Sequence, residues 1–402
     1  MKRTLTFHVT LPMLMACMLA QAAFAQTRAP APPAKVIPSV SGKRIWDISR
    51  ITDREKSLMQ LTDLIRFKGN WYCGFHEGEI HHNHPTGRGR IISSPDGEHW
   101  ETVALLQWDG ADVREPKLAI TAEGNLMVNT SIYFVSRQPR DKGAYYQLEQ
   151  RGGGAPPNDS EPNVERQSVT WLTTDGKDWG SAYACPSGIN TWRWEVLWHN
   201  GMGYSLAYSS QSRGGKDSMG TLYRTRDGRS WRPLKEAMFP DTGGTEAALN
   251  FGPDNTAYCL LRGGSEPVMI GIGKAPRYQQ WDWKTVSVDW QGDGTLQPAK
   301  TAIRGALGGP KLIRLSDGRL LAAGRVLGPG REDGSITLFW VDTEKAILTR
   351  FAEVDGTSYA GVVEHEGMLW VSCCNSDSSG IFLAKLKVPE PTHGNQGPTS
   401  NK

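Results

Sequence analysis

A seven-residue turn occurs three times in this chain and limits what the chain can fold into. It reads Ser94-Pro95-Asp96-Gly97-Glu98-His99-Trp100, then Thr173-Thr174-Asp175-Gly176-Lys177-Asp178-Trp179, then Thr225-Arg226-Asp227-Gly228-Arg229-Ser230-Trp231. The shared pattern is Ser/Thr-x-Asp-Gly-x-x-Trp. An Asp side chain accepts hydrogen bonds from the backbone amides that follow it and closes a tight turn. Gly takes the positive-φ position that such a turn needs. Trp packs back as an apolar plug. Strand-like runs precede each copy: Arg90 to Ser93, Ser168 to Leu172 and Thr221 to Arg224. The turn is therefore a hairpin connection, and its recurrence marks a repeated β-unit.

A second repeat fills the gaps. Six polar dipeptides, Lys68-Gly69, Glu123-Gly124, Asn200-Gly201, Asp254-Asn255, Asp317-Gly318 and Glu366-Gly367, each lead into a short apolar strand such as Trp71-Tyr72-Cys73 or Leu126-Met127-Val128. They recur at roughly 50- to 80-residue intervals, within the range of propeller blades and their insertions. In units four and five, Arg277 to Trp283 and Val341-Asp342-Thr343 take the place of the Trp turn. The pattern predicts an all-β, six-bladed propeller of four-stranded antiparallel blades. The last unit, Thr357 to Val388, is one strand short. Arg44-Ile45-Trp46-Asp47-Ile48 alternates and is expected to supply that strand and close the ring, removing exposed edges. Arg137 to Gln167, rich in Gly, Pro and charge, reads as a long loop over one face.

A chain of 402 residues exceeds one ordinary core, which a repeat architecture accommodates. The net charge of +3 points to neither nucleic acid nor an anionic membrane. Residues 1–25 read as a signal peptide: Lys2 and Arg3, an apolar run from Leu11 to Leu19, and Ala23-Phe24-Ala25 before the cleavage site. The run is too short to span a membrane, so no spanning segment is left after its removal. The mature protein is expected to be secreted or periplasmic, with lipid anchoring at Cys17 as the alternative. Residues 26–42 read as a disordered linker, 43–389 as the propeller and 390–402 as a disordered tail. Removing the signal leaves Cys73, Cys185, Cys259, Cys373 and Cys374, an odd number, so at least one thiol is unpaired. No Cys-x-x-Cys spacing occurs, and neither metal nor cofactor is expected. A monomer is the expected state.

The innermost strand of each blade lines a propeller's central channel. Those strands bring Asp63, Arg114, Glu115, Glu195, Glu246 and Tyr359 to one mouth from far apart in sequence. Charged groups beside a Tyr suit carbohydrate chemistry, and the same set read as ion pairs would only stabilise the channel.

At this point the chain resembles the sialidase superfamily. Its three Trp turns are similar to the Asp boxes, also called BNR repeats, of that family. Glu246 with Arg262 sixteen residues later, then Arg325, then Tyr359 in Thr357-Ser358-Tyr359, resembles the family's Glu, two of its carboxylate-binding arginines and its nucleophilic Tyr. Thr62 to Gly69, Arg114 to Leu118, Gly308-Gly309-Pro310 and Thr357 to Trp370 are similar to a group of secreted bacterial sialidase-like proteins. The likeness covers about residues 57 to 388. It departs from the family in two places. Met59-Gln60-Leu61 carries no first-strand Arg, and Arg114 is the candidate substitute. The loop after the first hairpin, His76-Glu77-Gly78-Glu79-Ile80-His81-His82-Asn83-His84, has no acid/base Asp and offers Glu77 or Glu79 instead. Its histidines could ligate a metal, although a solvated polar loop is the preferred reading.

The resemblance implies a secreted, exo-acting, retaining glycoside hydrolase with a carbohydrate substrate. Tyr359 would be the nucleophile and Glu246 its base, because a free phenol titrates near pH ~10 and is a poor nucleophile without one. Glu77 or Glu79 would protonate the leaving oxygen. Arg262 and Arg325, with Arg114, Glu115, Asp63 and Glu195, would bind substrate, the arginines gripping a carboxylate through their planar fork. The alternatives are a glycan-binding propeller without catalysis and a polysaccharide lyase using Tyr359 as base.

Overall fold

The computed structural model describes residues 36–50, 58–79, 87–134, 166–209, 220–240, 244–263, 267–304, 306–328 and 331–390. The segment read as a signal peptide, most of those read as a linker and a long loop, His81, His82, His84 and residues 391–402 lie outside them. Among the described residues there are 27 strands and one short α-helix, Ala299–Ala302. No helix there is long and apolar enough to cross a membrane.

The strands form antiparallel blades in sequence order. The first blade is Leu58–Phe67, Asn70–Gly78, Arg88–Ser94 and Glu101–Leu106. The second is Ala111–Ile120, Leu126–Phe134, Arg166–Thr173 and Tyr183–Ile189, and the third Thr191–His199, Met202–Ser209, Thr221–Thr225 and Arg232–Glu236. The fourth is Ala247–Phe251, Ala257–Leu261, Met269–Gly273 and Trp281–Thr285. Thr357–His365, Met368–Cys374 and Gly380–Lys387 make the last blade with an outer strand from the N-terminal side, Lys43–Asp47.

The expectation of six four-stranded blades is corrected. Among the described residues, five sheets have four strands, and the remaining sheet has seven. Its antiparallel part is Leu307–Arg314, Leu320–Gly328, Arg331–Asp342 and Ile347–Asp355. Ser287–Asp289 and Ser39–Ser41 both add parallel to the outer strand Ile347–Asp355, and Leu296–Pro298 pairs with Ser287–Asp289. These additions cover an edge that would otherwise present unpaired amides and carbonyls. Ser39–Ser41 also makes part of the segment read as linker a strand.

Lys43–Asp47 pairs antiparallel with Gly380–Lys387, Lys43 opposite Leu383 and Asp47 opposite Gly380. Ile45 and Trp46 are buried with Trp71, Phe75 and Leu383, so this strand belongs to the core of the first and last blades. Trp71 stacks on Trp370 of the last blade at 4.2 Å.

The three Trp turns share one geometry. Asp96 Oδ1 accepts from the Glu98 and His99 amides at 2.8 and 2.9 Å, and Asp175 and Asp227 do the same in their copies. The hydroxyls of Ser94, Thr173 and Thr225 accept from the amides of Gly97, Gly176 and Gly228 at 2.8 to 3.0 Å. Each glycine has φ between +71° and +82° and faces a neighbouring blade. A Cβ on Gly97 would meet Trp370, one on Gly176 would meet Tyr72, and one on Gly228 would meet Met127. Those three residues each lie three positions after a hairpin glycine, Gly367, Gly69 and Gly124. The turn of one blade thus seats on the second strand of the blade before it, which ties the two repeats into one packing unit. The first blade's turn meets the last blade in this way, as neighbours in a closed ring must.

Trp100 and Trp231 are buried plugs, whereas Trp179 is only half-buried. Trp231→Ala is therefore expected to cost roughly 3–5 kcal/mol, and Trp179→Ala clearly less. Chemical denaturation of the two variants measures the difference, and equal losses would contradict the plug assignment.

Candidate active site

The inner strands share an irregularity that places the site. Pairing with the second strand slips between Gln60 and Asp63, Arg114 and Lys117, Arg193 and Val196, Gly308 and Lys311, and Thr357 and Gly361. Five of six inner strands bulge near the same end. Leu61, Glu115, Gly309 and Ser358 take positive φ there. Bulges bend a strand and re-aim the side chains beside them. Here they free Glu115, Glu195 and Tyr359 from the blade interiors. The fourth blade reaches the same end differently: Glu246 lies just before its strand, and its carbonyl accepts from the Arg262 amide at 2.9 Å.

Tyr359, Glu246 and Arg262 form one hydrogen-bonded triad. The Tyr359 hydroxyl donates to Glu246 Oε1 at 2.6 Å. Arg262 Nη1 donates to the same oxygen at 2.5 Å and to the Tyr359 oxygen at 3.1 Å. Glu246 Oε2 accepts from the Gly309 amide at 2.7 Å. Burial, and then the Glu246 charge, raise the Tyr359 pKa well above an ordinary phenol's, with Arg262 opposing. The phenol is thus protonated at rest, with its proton already directed at a carboxylate. Glu246 and then Tyr359 raise the pKa of Arg262 against the opposing effect of burial. Arg325 is half-buried, with Cζ 5.6 Å from the centre of the Tyr359 ring.

Gly309 has no substitute at its position. Its φ is +56°, and a Cβ there would stand 2.2 Å from Tyr359 Cγ. Gly309→Ala is expected to displace the Tyr359 ring, so binding and turnover should both fall by at least about tenfold, the scale of a site shifted by a fraction of an ångström. Steady-state kinetics test this, and unchanged kinetics would contradict it.

A second cluster braces the mouth. Lys311 Nζ binds Asp63 at 2.7 Å and Glu195 at 2.9 Å. Burial works against the lysine's charge, but the two carboxylates outweigh it and raise its pKa. Asp63 also accepts from the Leu64 and Leu118 amides at 2.9 and 2.8 Å and is fully buried. Its oxygens are occupied in joining three sheets, which corrects its expected role in substrate binding. Glu195 has a raised pKa, chiefly from burial.

The second blade supplies Arg114, Glu115 and Lys117. The Arg114 guanidinium lies 3.9 Å from Asp112 and 3.8 Å from Glu115, so it is drawn toward its own strand neighbours. Lys117 Nζ is 4.6 Å from the Trp194 ring centre and 5.6 Å from that of Tyr359. It is Lys117, rather than Arg114, that turns a cation toward Tyr359.

The proposed acid from the first hairpin does not hold for Glu77. It sits in the strand Asn70–Gly78, fully buried. Its oxygens accept from Arg88 at 2.6 Å and from Arg90 Nε at 2.5 Å. Two guanidiniums occupy both of its oxygens, which leaves neither free to reach a substrate. Glu79 is exposed at the strand's end. His76 Nε2 pairs with Asp112 at 2.8 Å in the core. The described cysteines are all free thiols. A separate groove on outer strands, lined by Leu105, Trp171 and Trp179, contains none of the site residues.

Sequence reasoning missed Lys117, Lys311, Gly309 and Trp194. A usable signal was present: Glu115-Pro116 and Gly309-Pro310 each put a residue that cannot donate a ladder hydrogen bond inside an inner strand, which marks a bulge.

No family model and no curated protein matches the chain in sequence. Solved structures match in fold. A protein of unknown function from Dyadobacter fermentans superposes with a TM-score of 0.61 at 16% identity, covering 89% of this chain and 100% of that one. An intramolecular trans-sialidase from Ruminococcus gnavus gives 0.59 at 12% identity, covering 86% and 97%. An alpha-L-arabinanase from Penicillium chrysogenum gives 0.54 at 11%, also covering 86% and 97%. At these identities the likeness shows the fold alone, a β-propeller.

Proposed function

We propose that the chain is a secreted or periplasmic glycoside hydrolase of sialidase-like type, exo-acting and retaining. One observation carries the reading: the Tyr359 hydroxyl donates to Glu246 at 2.6 Å, within the reach that general-base activation requires. Tyr359 attacks the anomeric carbon as its proton passes to Glu246. Arg262, hydrogen-bonded to both oxygens, stabilises the negative charge as it passes from Glu246 to the phenol oxygen and on into the new bond. A neutral phenol avoids the repulsion that a carboxylate nucleophile feels from an acidic sugar. Arg262, Arg325 and Lys117 bring three cations around one ring, which favours a carboxylate-bearing sugar. The fold neighbours include a trans-sialidase and an arabinanase, so both acidic sugars and arabinofuranose belong in the test.

The lyase alternative needs Tyr359 as a resting base, and the raised pKa of its phenol speaks against that. The test is hydrolysis of 4-methylumbelliferyl glycosides of N-acetylneuraminic acid, glucuronic acid and arabinofuranose, alongside intact polysaccharides. Release of a monosaccharide with retained anomeric configuration is the expected result. Binding without cleavage across the panel would overturn the reading in favour of a glycan-binding propeller, and an unsaturated product would favour the lyase. Arg262→Lys keeps the charge but loses the fork. It is expected to raise KM for an acidic glycoside by about tenfold or more and for a neutral one far less, and equal effects on both would contradict carboxylate binding.

A further inference from the structure

With Glu77 occupied by two arginines and Glu79 exposed at the end of its strand, the hydrolase reading calls for a proton donor at the mouth itself. We propose that Glu115 is that donor, delivering a proton to the glycosidic oxygen from the bulge of the second blade's inner strand. The proposal rests on the hydrolase reading and completes it.

Glu115 differs from every other described carboxylate at the mouth. Asp63 has two amides and Lys311. Glu246 has Tyr359, Arg262 and Gly309, and Glu195 Oε1, although it too makes no hydrogen bond, has the Lys311 cation at 2.9 Å. Glu115 is only 3% exposed, yet its Oε2 has no hydrogen-bond partner. The Arg114 guanidinium beside Oε1 stands at 3.8 Å, beyond a hydrogen bond. A buried carboxylate without donors is costly as an anion and is better accommodated as the neutral acid. The backbone fixes where it points. Glu115 has a φ of +52°, and Pro116 follows it inside the slipped register between Arg114 and Lys117. Positive φ at a non-glycine residue inside a strand, away from the hairpin turns, is strained, and such strain clusters at functional sites.

Glu115 is in electrostatic range of the groups around Tyr359. They are Arg114 and Lys117 from the strand of Glu115, Glu246 and Arg262 from the fourth blade, Tyr208 from the third and Tyr359 itself from the last. Burial first, then Glu246, push its pKa up to about 8, against the three cations. An acid with that pKa holds its proton at neutral pH and can release it to a leaving group.

The steps balance. The Glu115 carboxyl proton moves to the glycosidic oxygen as that oxygen's bond to the anomeric carbon breaks. Tyr359 oxygen bonds the carbon, and its phenol proton goes to Glu246. The alcohol departs. In the second step, Glu115 carboxylate takes a proton from water as the water oxygen attacks the anomeric carbon. The bond to Tyr359 breaks, and Glu246 returns the proton to the phenol. Water is consumed, and both groups end as they began.

Leaving-group dependence is the test, using the methyl and 2,4-dinitrophenyl glycosides of the sugar that the parent protein cleaves. Glu115→Gln should lower kcat/KM on the methyl glycoside by about 10²- to 10⁴-fold, the range of general-acid assistance. On the dinitrophenyl glycoside, whose leaving group needs no proton, the loss should stay below about tenfold. The parent's kcat/KM should fall above about pH 8, and that limb should vanish in Glu115→Gln. Equal losses on both substrates, or an unchanged limb, would overturn the donor assignment while leaving a working hydrolase. The same limb pattern in Glu195→Gln instead would transfer the role to Glu195. A parent protein that cleaves no glycoside would remove the hydrolase reading first and the donor with it. A substrate-free readout is also available. The stability that depends on neutral Glu115 is fully present below its ordinary value of 4.5 and is lost as pH rises through about 8. Glu115→Gln should therefore gain melting temperature relative to the parent between those two values, and a constant difference would count against the assignment. If Glu115→Gln does not fold, the parent's own profile decides: no fall near pH 8 overturns the proposal.

Discussion

Tyr359→Phe is expected to lower kcat by about 10³-fold or more while KM changes by less than roughly threefold. The substitution removes one oxygen. The ring keeps its edge-to-face contact with Trp194 at 5.6 Å and its seat over Gly309. Glu246 keeps Arg262 and the Gly309 amide, so its charge stays paired. Stability should therefore change by only about 1–2 kcal/mol, the scale of one buried hydrogen bond. The oxygen acts mainly as the bond to the anomeric carbon forms, so its loss falls on turnover rather than on binding. Steady-state kinetics on the cleaved glycoside, with a melting curve as control, give the answer. A variant retaining more than about a tenth of parental kcat would exclude Tyr359 as nucleophile.

Deleting residues 26–50 is expected to give insoluble protein, or a protein melting far below the parent. The deletion removes Lys43–Asp47 and leaves Gly380–Lys387 as an open edge, ready to pair with another chain. It withdraws Trp46 and Ile45 from the core they share with Trp71 and Leu383. It also removes Ser39–Ser41 from the outer edge of the seven-stranded sheet. Trp46→Ala isolates the packing share and should cost about 3–5 kcal/mol. Solubility and thermal melting measure both. A soluble deletion variant with an unchanged melting temperature would rule out closure by this strand.

The parts of the fold readable from sequence were those encoded locally. Asp-Gly turns state their own geometry: the Ser94 and Asp96 side chains form the hydrogen bonds open to them, and the Gly97 amide donates to Ser94. The six hairpin dipeptides each join a first strand to a second. The sheet extension between 287 and 298 was not readable, because three-residue strands carry no periodicity. In the site, the inner strands bring Glu246 and Tyr359 to one mouth, and Arg262 joins them through the resemblance to the sialidase superfamily. Lys311 was not readable, because its partners Asp63 and Glu195 are chosen by blade geometry across the mouth. Glu77 was misread as a loop acid, since nothing in His76-Glu77-Gly78 announces that Arg88 and Arg90 on the next strand will enclose its carboxylate. The bulges were hidden for a related reason. A bulge is a count of residues against a partner strand, and the partner must be known first.

Covalent trapping tests the central claim most directly. The parent protein would be incubated with a 2,4-dinitrophenyl fluorosugar of the sugar it cleaves, in which fluorine beside the anomeric carbon slows the second step. Intact-mass and peptide mass spectrometry would then locate the adduct. The account predicts one sugar per chain, attached to the Tyr359 oxygen, and none in Tyr359→Phe. A sugar attached to the Glu246 carboxylate, or turnover of natural glycosides with no adduct at all, would contradict it.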